Sequence, residues 1–327
     1  MASNSTIPDK AMDDGTGYLP APAELFSAGI HTYRAYGLTF SSEICFPQWP
    51  DFPVTGEADV SIRQGVIFGK NYTPPDSVQI ESSPGHVLLR GSQSATIRVS
   101  GGNAIIVEQL PGGNPAVIRQ ILSGWALAGI FHQRGMMPLH GSVICDGEAC
   151  FVLCAESGIG KSTLAIAFLN AGHTYLDDNV ALIHFEKDIP YVIPGIPEIR
   201  LWEDALQHVA FEHRVVGRVK PDVNKLALLS RANFKNEPVI LKRIFILRRT
   251  QNPDISFVPL IGAAKFKVLW EHVFCVRFMG DSGNKFSLFQ NLKKLASDIA
   301  CFEIRLPAEL PPPDKLREII HDFNIMH

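Results

Sequence analysis

The segment Ala155-Glu156-Ser157-Gly158-Ile159-Gly160-Lys161-Ser162-Thr163 has the spacing G-x-x-x-x-G-K-[ST], with Ala155 in place of the first glycine. That pattern serves polyphosphate binding. Gly158 and Gly160 let successive backbone N–H groups curl inward around phosphate oxygens, with Ser157 and Ile159 completing the turn. A helix opening behind them adds its positive dipole end. Lys161 would bridge the β- and γ-phosphates as a point charge. Ser162 would set its hydroxyl on Mg²⁺, with Thr163 as a second candidate. Alanine serves at the first position if its φ stays negative. The alternative is a chance glycine turn before an ordinary helix, and the flanking sequence opposes it. ACFVLCA reads as a buried strand, and TLAIAFLNAG has helical spacing and ends at Gly172, a suitable C-cap.

A second cluster follows in HTYLDDNVALIHF, where Asp177 and Asp178 stand side by side at the end of a strand-like run. In extended backbone they point to opposite sides. Phosphoryl transfer uses one carboxylate to hold the magnesium ion and another to accept the proton of the attacking hydroxyl, so the doublet supplies both. Taken alone, Asp-Asp-Asn is also a good turn cap. His140, in Pro138-Leu139-His140-Gly141-Ser142, precedes the hairpin-like VICDGEACFV. An isolated histidine among apolar residues is ordinarily a satisfied core group, whereas here it could orient or charge-couple Asp177.

The elements that must position these groups fall into two patterns. From about Tyr33 to Leu110, short alternating runs (SVQIE, HVLLR, ATIRV, AIIVEQL) separated by Gly, Pro and Ser clusters predict a small β-rich unit, assigned to 29–112. Asn114-Pro115 forms an N-cap and first-turn pair for a helix through about Arg134, opening a second unit over 113–327. There, apolar strands alternate with helical segments, which predicts an α/β domain. LWEDALQHVAF, KFSLFQNLKKLASDIA and PPPDKLREIIHDF read as helices, and VILKRIFILRR as a strand.

Composition narrows the function. The 30 Lys+Arg and 33 Asp+Glu give a formal charge of −3, so no large positive field exists to hold nucleic acid or anionic lipid. The longest apolar stretch, Ile121 to Phe131, is about half the roughly 20 residues of a membrane-spanning helix and reads as a core helix. Residues 1–28 read as a flexible polar leader with no apolar signal region, which makes the cytoplasm the expected location. The six cysteines form no C-x-x-C pair and read as buried free thiols, so no zinc site is expected from them. In HRVVGRVKPDVNK, Arg214, Arg218, Lys220 and Lys225 are a solvated loop face or a phosphate clamp. Lys225, beside the apolar LALL, is the preferred clamp residue.

Leu139-His140-Gly141, then SGIGKS, Gly172-His173, Asp177-Asp178 and Glu198-Ile199-Arg200-Leu201 occur in the order found in bacterial HPr kinase/phosphorylase, and the chain resembles that family over about residues 135 to 205. YRAYGLTF and PGIPEIRLWEDAL are most similar to the branch that includes lasso-peptide tailoring kinases. The resemblance implies an α/β P-loop kinase domain of the HPr kinase/phosphoenolpyruvate carboxykinase-like type behind the smaller β-rich domain. It implies ATP and Mg²⁺, with Lys161 and Ser162 on phosphate and metal, Asp177 as general base, and Asp178 and Glu198 supporting the metal. It places His140 beside the carboxylate pair and Arg200 where the substrate or the transferred phosphoryl is met. The family's glycine-rich continuation after Glu-Ile-Arg is replaced by Leu201-Trp202-Glu203-Asp204, which puts reverse phosphorolysis in doubt. Because the HPr kinases are oligomeric, a homo-oligomer is an expectation of the same kind.

The expected activity is therefore transfer of the ATP γ-phosphoryl group to a serine hydroxyl of a peptide or protein, such as a lasso-peptide precursor. Two alternatives stay open: a small-molecule hydroxyl kinase, since the glycine loop does not specify the acceptor, and a nucleotide-gated regulatory module.

Overall fold

The computed structural model describes residues 24–69, 73, 79–90, 93–220, 223–279 and 284–326. Most of the leader expected over 1–28 therefore lies outside the described residues.

Among the described residues, seven strands form the first sheet. They are β1 (Phe26–Ala35), β2 (Leu38–Ile44), β3 (Val60–Gln64), β4 (Gln79–Ser83), β5 (His86–Arg90), β6 (Ala95–Ser100) and β7 (Ala104–Gln109), in the order β1-β2-β3-β7-β6-β5-β4. Alternation dictates which face is covered: along LTFSSEI, Leu38, Phe40, Ser42 and Ile44 are buried while the residues between them are only partly so. The covering element is α1 (Pro115–Ile121), which continues through a π-helical turn at Leu122–Ala126 into α2 (Leu127–Gln133). Asn114 starts it as expected, its side chain accepting from the N–H groups of Ala116 and Val117. Ile118, Leu122, Leu127, Ile130 and Phe131 are buried in one core with β1–β7. The helix expected to open the second unit thus shares its apolar face with the first sheet.

The second sheet contains β8 (Met137–His140), β9 (Ser142–Asp146), β10 (Ala149–Ala155), β11 (Thr174–Asp177), β12 (Val180–Glu186), β13 (Ile189–Ile193), β17 (Val239–Arg249), β18 (Ser256–Pro259) and β19 (Ala300–Leu306). Its centre is parallel, β17 lying between β10 and β19. β10 is a continuous apolar run and β17 contains one, Ile244–Leu247, as expected where both faces are covered, whereas β19 carries Glu303 and Arg305 among its apolar residues. On one face sits α3 (Lys161–Asn170), buried at every position from Leu164 to Leu169, the mark of a helix enclosed by other elements. The amphipathic α6 (Pro313–Met326) lies against the same core through Leu316 and Ile320. The helices α4 (Gly262–Glu271) and α5 (Asn284–Asp298) enclose the other core.

A three-stranded sheet, β14 (Glu198–Trp202), β16 (Val223–Leu229) and β15 (Arg214–Lys220), completes the fold. Here the helix expected over LWEDALQHVAF is corrected: Leu201 and Trp202 end β14, and only Glu203–His208 turns, as 3-10 helix. Pairing of Leu201 with Leu226 and of Trp202 with Lys225 outcompetes the helical spacing. The supposed basic loop is the hairpin β15–β16. No helix among the described residues is long and apolar enough to cross a membrane.

Replacing the Asn114 cap with Ala should lower stability by about 1 kcal/mol. A urea midpoint unchanged from the wild type would show that the long helix does not depend on this cap.

Candidate functional site

The site is built at the junction of β10 and α3. Ala155 ends β10 in extended backbone, where no glycine is needed. The chain then turns through Gly158 (φ +87°) and Gly160 (φ +107°), conformations that side chains with a Cβ rarely adopt, before α3 begins at Lys161. The turn encloses a pocket of ≈160 Å³ lined by Ala155, Glu156, Ser157, Gly158, Gly160, Lys161, Ser162 and Thr163, facing His140, Asp178, Asn179, Arg200, Trp202 and Lys225. A second cavity of ≈640 Å³ shares His140, Ala155, Glu156 and Ser157 and is completed by Ile159, Ile246, Leu247, Arg248, Arg249, Glu271 and His272. The two make one trough on either side of the turn.

Lys161 lies along the pocket floor. Its ammonium donates to Ser142 Oγ at 2.9 Å and to the Asp178 carbonyl at 3.0 Å, and stands 3.7 Å from Asp178 Oδ1. Ser142 in turn donates to Asp178 Oδ1 at 2.5 Å. Asp178 Oδ2 accepts the Arg200 backbone N–H at 3.0 Å and lies 3.4 Å from the Ser162 hydroxyl. A carboxylate and a hydroxyl side by side on a pocket wall are a hard, all-oxygen donor set of the kind that holds a partly hydrated Mg²⁺.

Asp177 is placed elsewhere. It is 3% exposed, lines neither cavity, and has both oxygens occupied. Oδ1 accepts the N–H groups of Asn179 at 2.6 Å and Val180 at 2.7 Å, an Asx turn. Oδ2 accepts the Tyr36 hydroxyl at 2.8 Å and the Ile196 N–H at 3.2 Å. Burial pushes its carboxyl up to about 6, against the pull of these donors. Tyr36, itself buried against Phe131 with ring centroids 4.9 Å apart, is held protonated well above the usual phenol range by burial and by Asp177. A Cβ at residue 195 would stand 2.0 Å from Asp177 Oδ2, so glycine is required there. Of the two aspartates, Asp178 is therefore the one that faces the pocket. The position expected of a base, Asp177, is a buried turn cap, because consecutive residues of an extended segment face opposite ways.

His140 reaches both cavities. Its Nδ1–H donates to the Asn179 carbonyl at 3.0 Å, leaving Nε2 unprotonated, and its ring stacks on Phe274. Burial first, then the Lys161 charge, lowers its pKa to about 4, so the ring is neutral at pH 7. Arg200 lines the pocket, its Nε donating to Glu198 Oε1 at 2.6 Å. Glu198 itself lines neither cavity and is 6% exposed; it keeps Arg200 charged and in place, while its Oε2 is buried without a hydrogen-bond partner. Lys225 reaches the pocket from β16, its pKa lowered by burial. Arg218 faces away to Glu203 and Asn224, and the side chain of Lys220 lies outside the described residues.

Sequence reasoning missed Ser142, Asn179 and Trp202. Ser142 was visible only as a hydroxyl two residues after His140. Trp202 is 46% exposed at the pocket mouth, yet its sequence setting resembled the exposed face of a helix.

No family model matches the chain, and no curated protein matches it. Among solved structures it is similar to the Hpr(Ser) kinase/phosphatase from Coxiella burnetii at 12% identity, covering 58% of this chain and 97% of that one. The TM-score of 0.29 is too low for that likeness to bear on the reaction.

Two outcomes follow from the geometry. Tyr36→Phe leaves Asp177 Oδ2 short of a donor and should cost about 1–3 kcal/mol in chemical unfolding; no loss would show that the carboxylate finds its donors elsewhere. Because the folded-state pKa of His140 is depressed from 6.5 to about 4, its contribution to stability is present above pH 6.5 and lost on acidification toward 4. A His140→Gln variant should have a flatter stability profile between those pH values, and an unchanged profile would refute the assignment.

Proposed function

We propose that the chain is an ATP- and Mg²⁺-dependent phosphotransferase acting on the serine hydroxyl of a peptide or protein. One observation carries the reading. Lys161, Ser162 and Asp178 converge with Arg200 and Lys225 on a single pocket at the start of α3, behind a turn with two left-handed glycines. On this reading 155–163 is a P-loop. Its backbone N–H groups and the N-terminus of α3 cradle the β- and γ-phosphates, and Lys161 exchanges Ser142 and Asp178 for phosphate oxygens. Ser162 and Asp178 would hold a Mg²⁺ ion, which when bound neutralises charge on the phosphates. Arg200 and Lys225 stabilise the charge carried by the phosphoryl group as it leaves the nucleotide.

Asp178, the aspartate that lines the pocket, takes the proton from the attacking hydroxyl on Oδ1, while its Oδ2, 3.4 Å from the Ser162 hydroxyl, is the oxygen left for the metal. Neutral His140 excludes a competing cation and holds Asn179, the next residue, by its carbonyl. Asp177 is a positioning residue. The peptide acceptor, including a lasso-peptide precursor, is supported by the sequence resemblance, as are ATP as donor and assembly as a homo-oligomer.

Mass spectrometry of serine-containing peptides incubated with the chain, ATP and Mg²⁺ should show the gain of one phosphate; labelling of small metabolites alone would move the acceptor to that class. Asp178→Asn should lower kcat by about 10²–10⁴-fold, and Lys161→Ala should weaken nucleotide binding itself. Asp177→Asn should lose thermal stability along with activity. Wild-type melting with abolished transfer in that variant would return the base to Asp177.

A further inference from the structure

Away from the pocket, at the opposite end of α3, three potential metal ligands from separate elements meet. Asp146 ends β9, His173 lies in the turn between α3 and β11, and His321 sits on α6. Ligating atoms from the three all lie within 4.8 Å of one another. His173 Nε2 is 3.7 Å from Asp146 Oδ1, and His321 Nδ1 is 3.8 Å from Asp146 Oδ2.

These separations are too long for hydrogen bonds, which would close to about 2.7–3.2 Å. The two histidine–Asp146 separations are near those of ligands around a shared ion: donors 2.0–2.2 Å from a tetrahedral zinc stand about 3.3–3.6 Å apart, so these two pairs would close by a few tenths of an ångström, and the set as a whole, within 4.8 Å, by up to about 1.5 Å. His321 Nδ1 is buried and has no hydrogen-bond partner. His173 Nδ1 stands 3.2 Å from the Phe168 carbonyl. Donation there leaves the Nε2 lone pair facing Asp146, the outer contact that orients a ligating histidine.

We propose that Asp146, His173 and His321 form a three-ligand site for a divalent transition metal of the zinc class that clips α6 to the far end of α3. Two imidazoles with one carboxylate select zinc-class ions over magnesium. The site adds a tether between the last helix and the sheet, where the buried contacts of α6 rest on Leu316 and Ile320. It is separate from the pocket, since α3 has ten residues and thus spans about 15 Å between the two.

The test uses the untagged full chain, stripped with a chelator and titrated with Co²⁺ and then Zn²⁺. Expected results are one equivalent bound, visible d–d bands of low-symmetry coordination without a thiolate charge-transfer band, and a melting temperature that rises with Zn²⁺ and not with Mg²⁺. His321→Gln and, independently, Asp146→Asn should weaken binding by more than about 100-fold, beyond the ~10–100-fold that an outer-shell loss costs. Both should keep the metal-free circular dichroism of the wild type. The proposal is overturned if the wild type binds neither ion, if a thiolate band appears, or if a folded His321→Gln or Asp146→Asn variant binds Zn²⁺ as tightly as the wild type.

Discussion

The site depends on how one buried carboxylate is held. Asp177 accepts four hydrogen bonds, two from its own turn, one from the segment entering β14, and one from Tyr36 in the turn between β1 and β2. A buried charge without partners would cost several kcal/mol, so the four donors must arrive together. Their arrival fixes three things at once: the turn at Asp178 and Asn179, the approach of Gly195, and the position of the β-rich unit against the second sheet. Remove one donor and the buried carboxylate is left short of a partner.

The direction of Asp178 follows. With Asp177 locked inward, the next side chain is presented outward, to Ser142, Ser162 and the Arg200 N–H. The turn's carbonyls are used as well, Asp178 O by Lys161 and Asn179 O by His140. One short turn therefore supplies the pocket with a carboxylate and fixes both a lysine and a histidine. The charges around it are uneven. Lys161, Arg200 and Lys225 face the pocket with Asp178 and Glu156, while Glu198 lies behind the lining and pairs with Arg200. A polyanion entering there meets cations already held in position, so little reorganisation is needed on binding.

Much of this was legible in the sequence. The glycine turn, the buried strand before it and the helix after it share a local signal, and local signals are what spacing and propensity report. The Asn114 cap and the helix through Gln133 were legible for the same reason. The choice between the two aspartates was not, because it turns on Tyr36, 141 positions away in the sequence, and on a glycine whose importance lies only in what its missing Cβ would strike. The alternative of an Asp-Asp-Asn turn cap held for one member of the pair and not the other. Nor could spacing reveal that Trp202 ends a strand, since pairing with Lys225 is a tertiary contact that overrides local helical pattern.

The first sheet is therefore part of the site's scaffold and not an appendage to it. Tyr36 has a positive φ of 54°, an uncommon conformation for an aromatic residue, and its N–H donates to the Pro194 carbonyl at 2.7 Å. Backbone and hydroxyl of one residue thus hold both sides of the Asp177 cage. Val180, Leu182 and Ile196, which flank that cage in the second sheet and in the approach to β14, are buried in the same apolar core as β1–β7 and the long helix. Apolar burial supplies the bulk of that attachment and the hydrogen bonds its register. A shift of the first sheet by one residue would move Tyr36 off Asp177 and leave a buried carboxylate short of a donor. The register of a strand far from the pocket in sequence is thereby coupled to the direction of the carboxylate inside it.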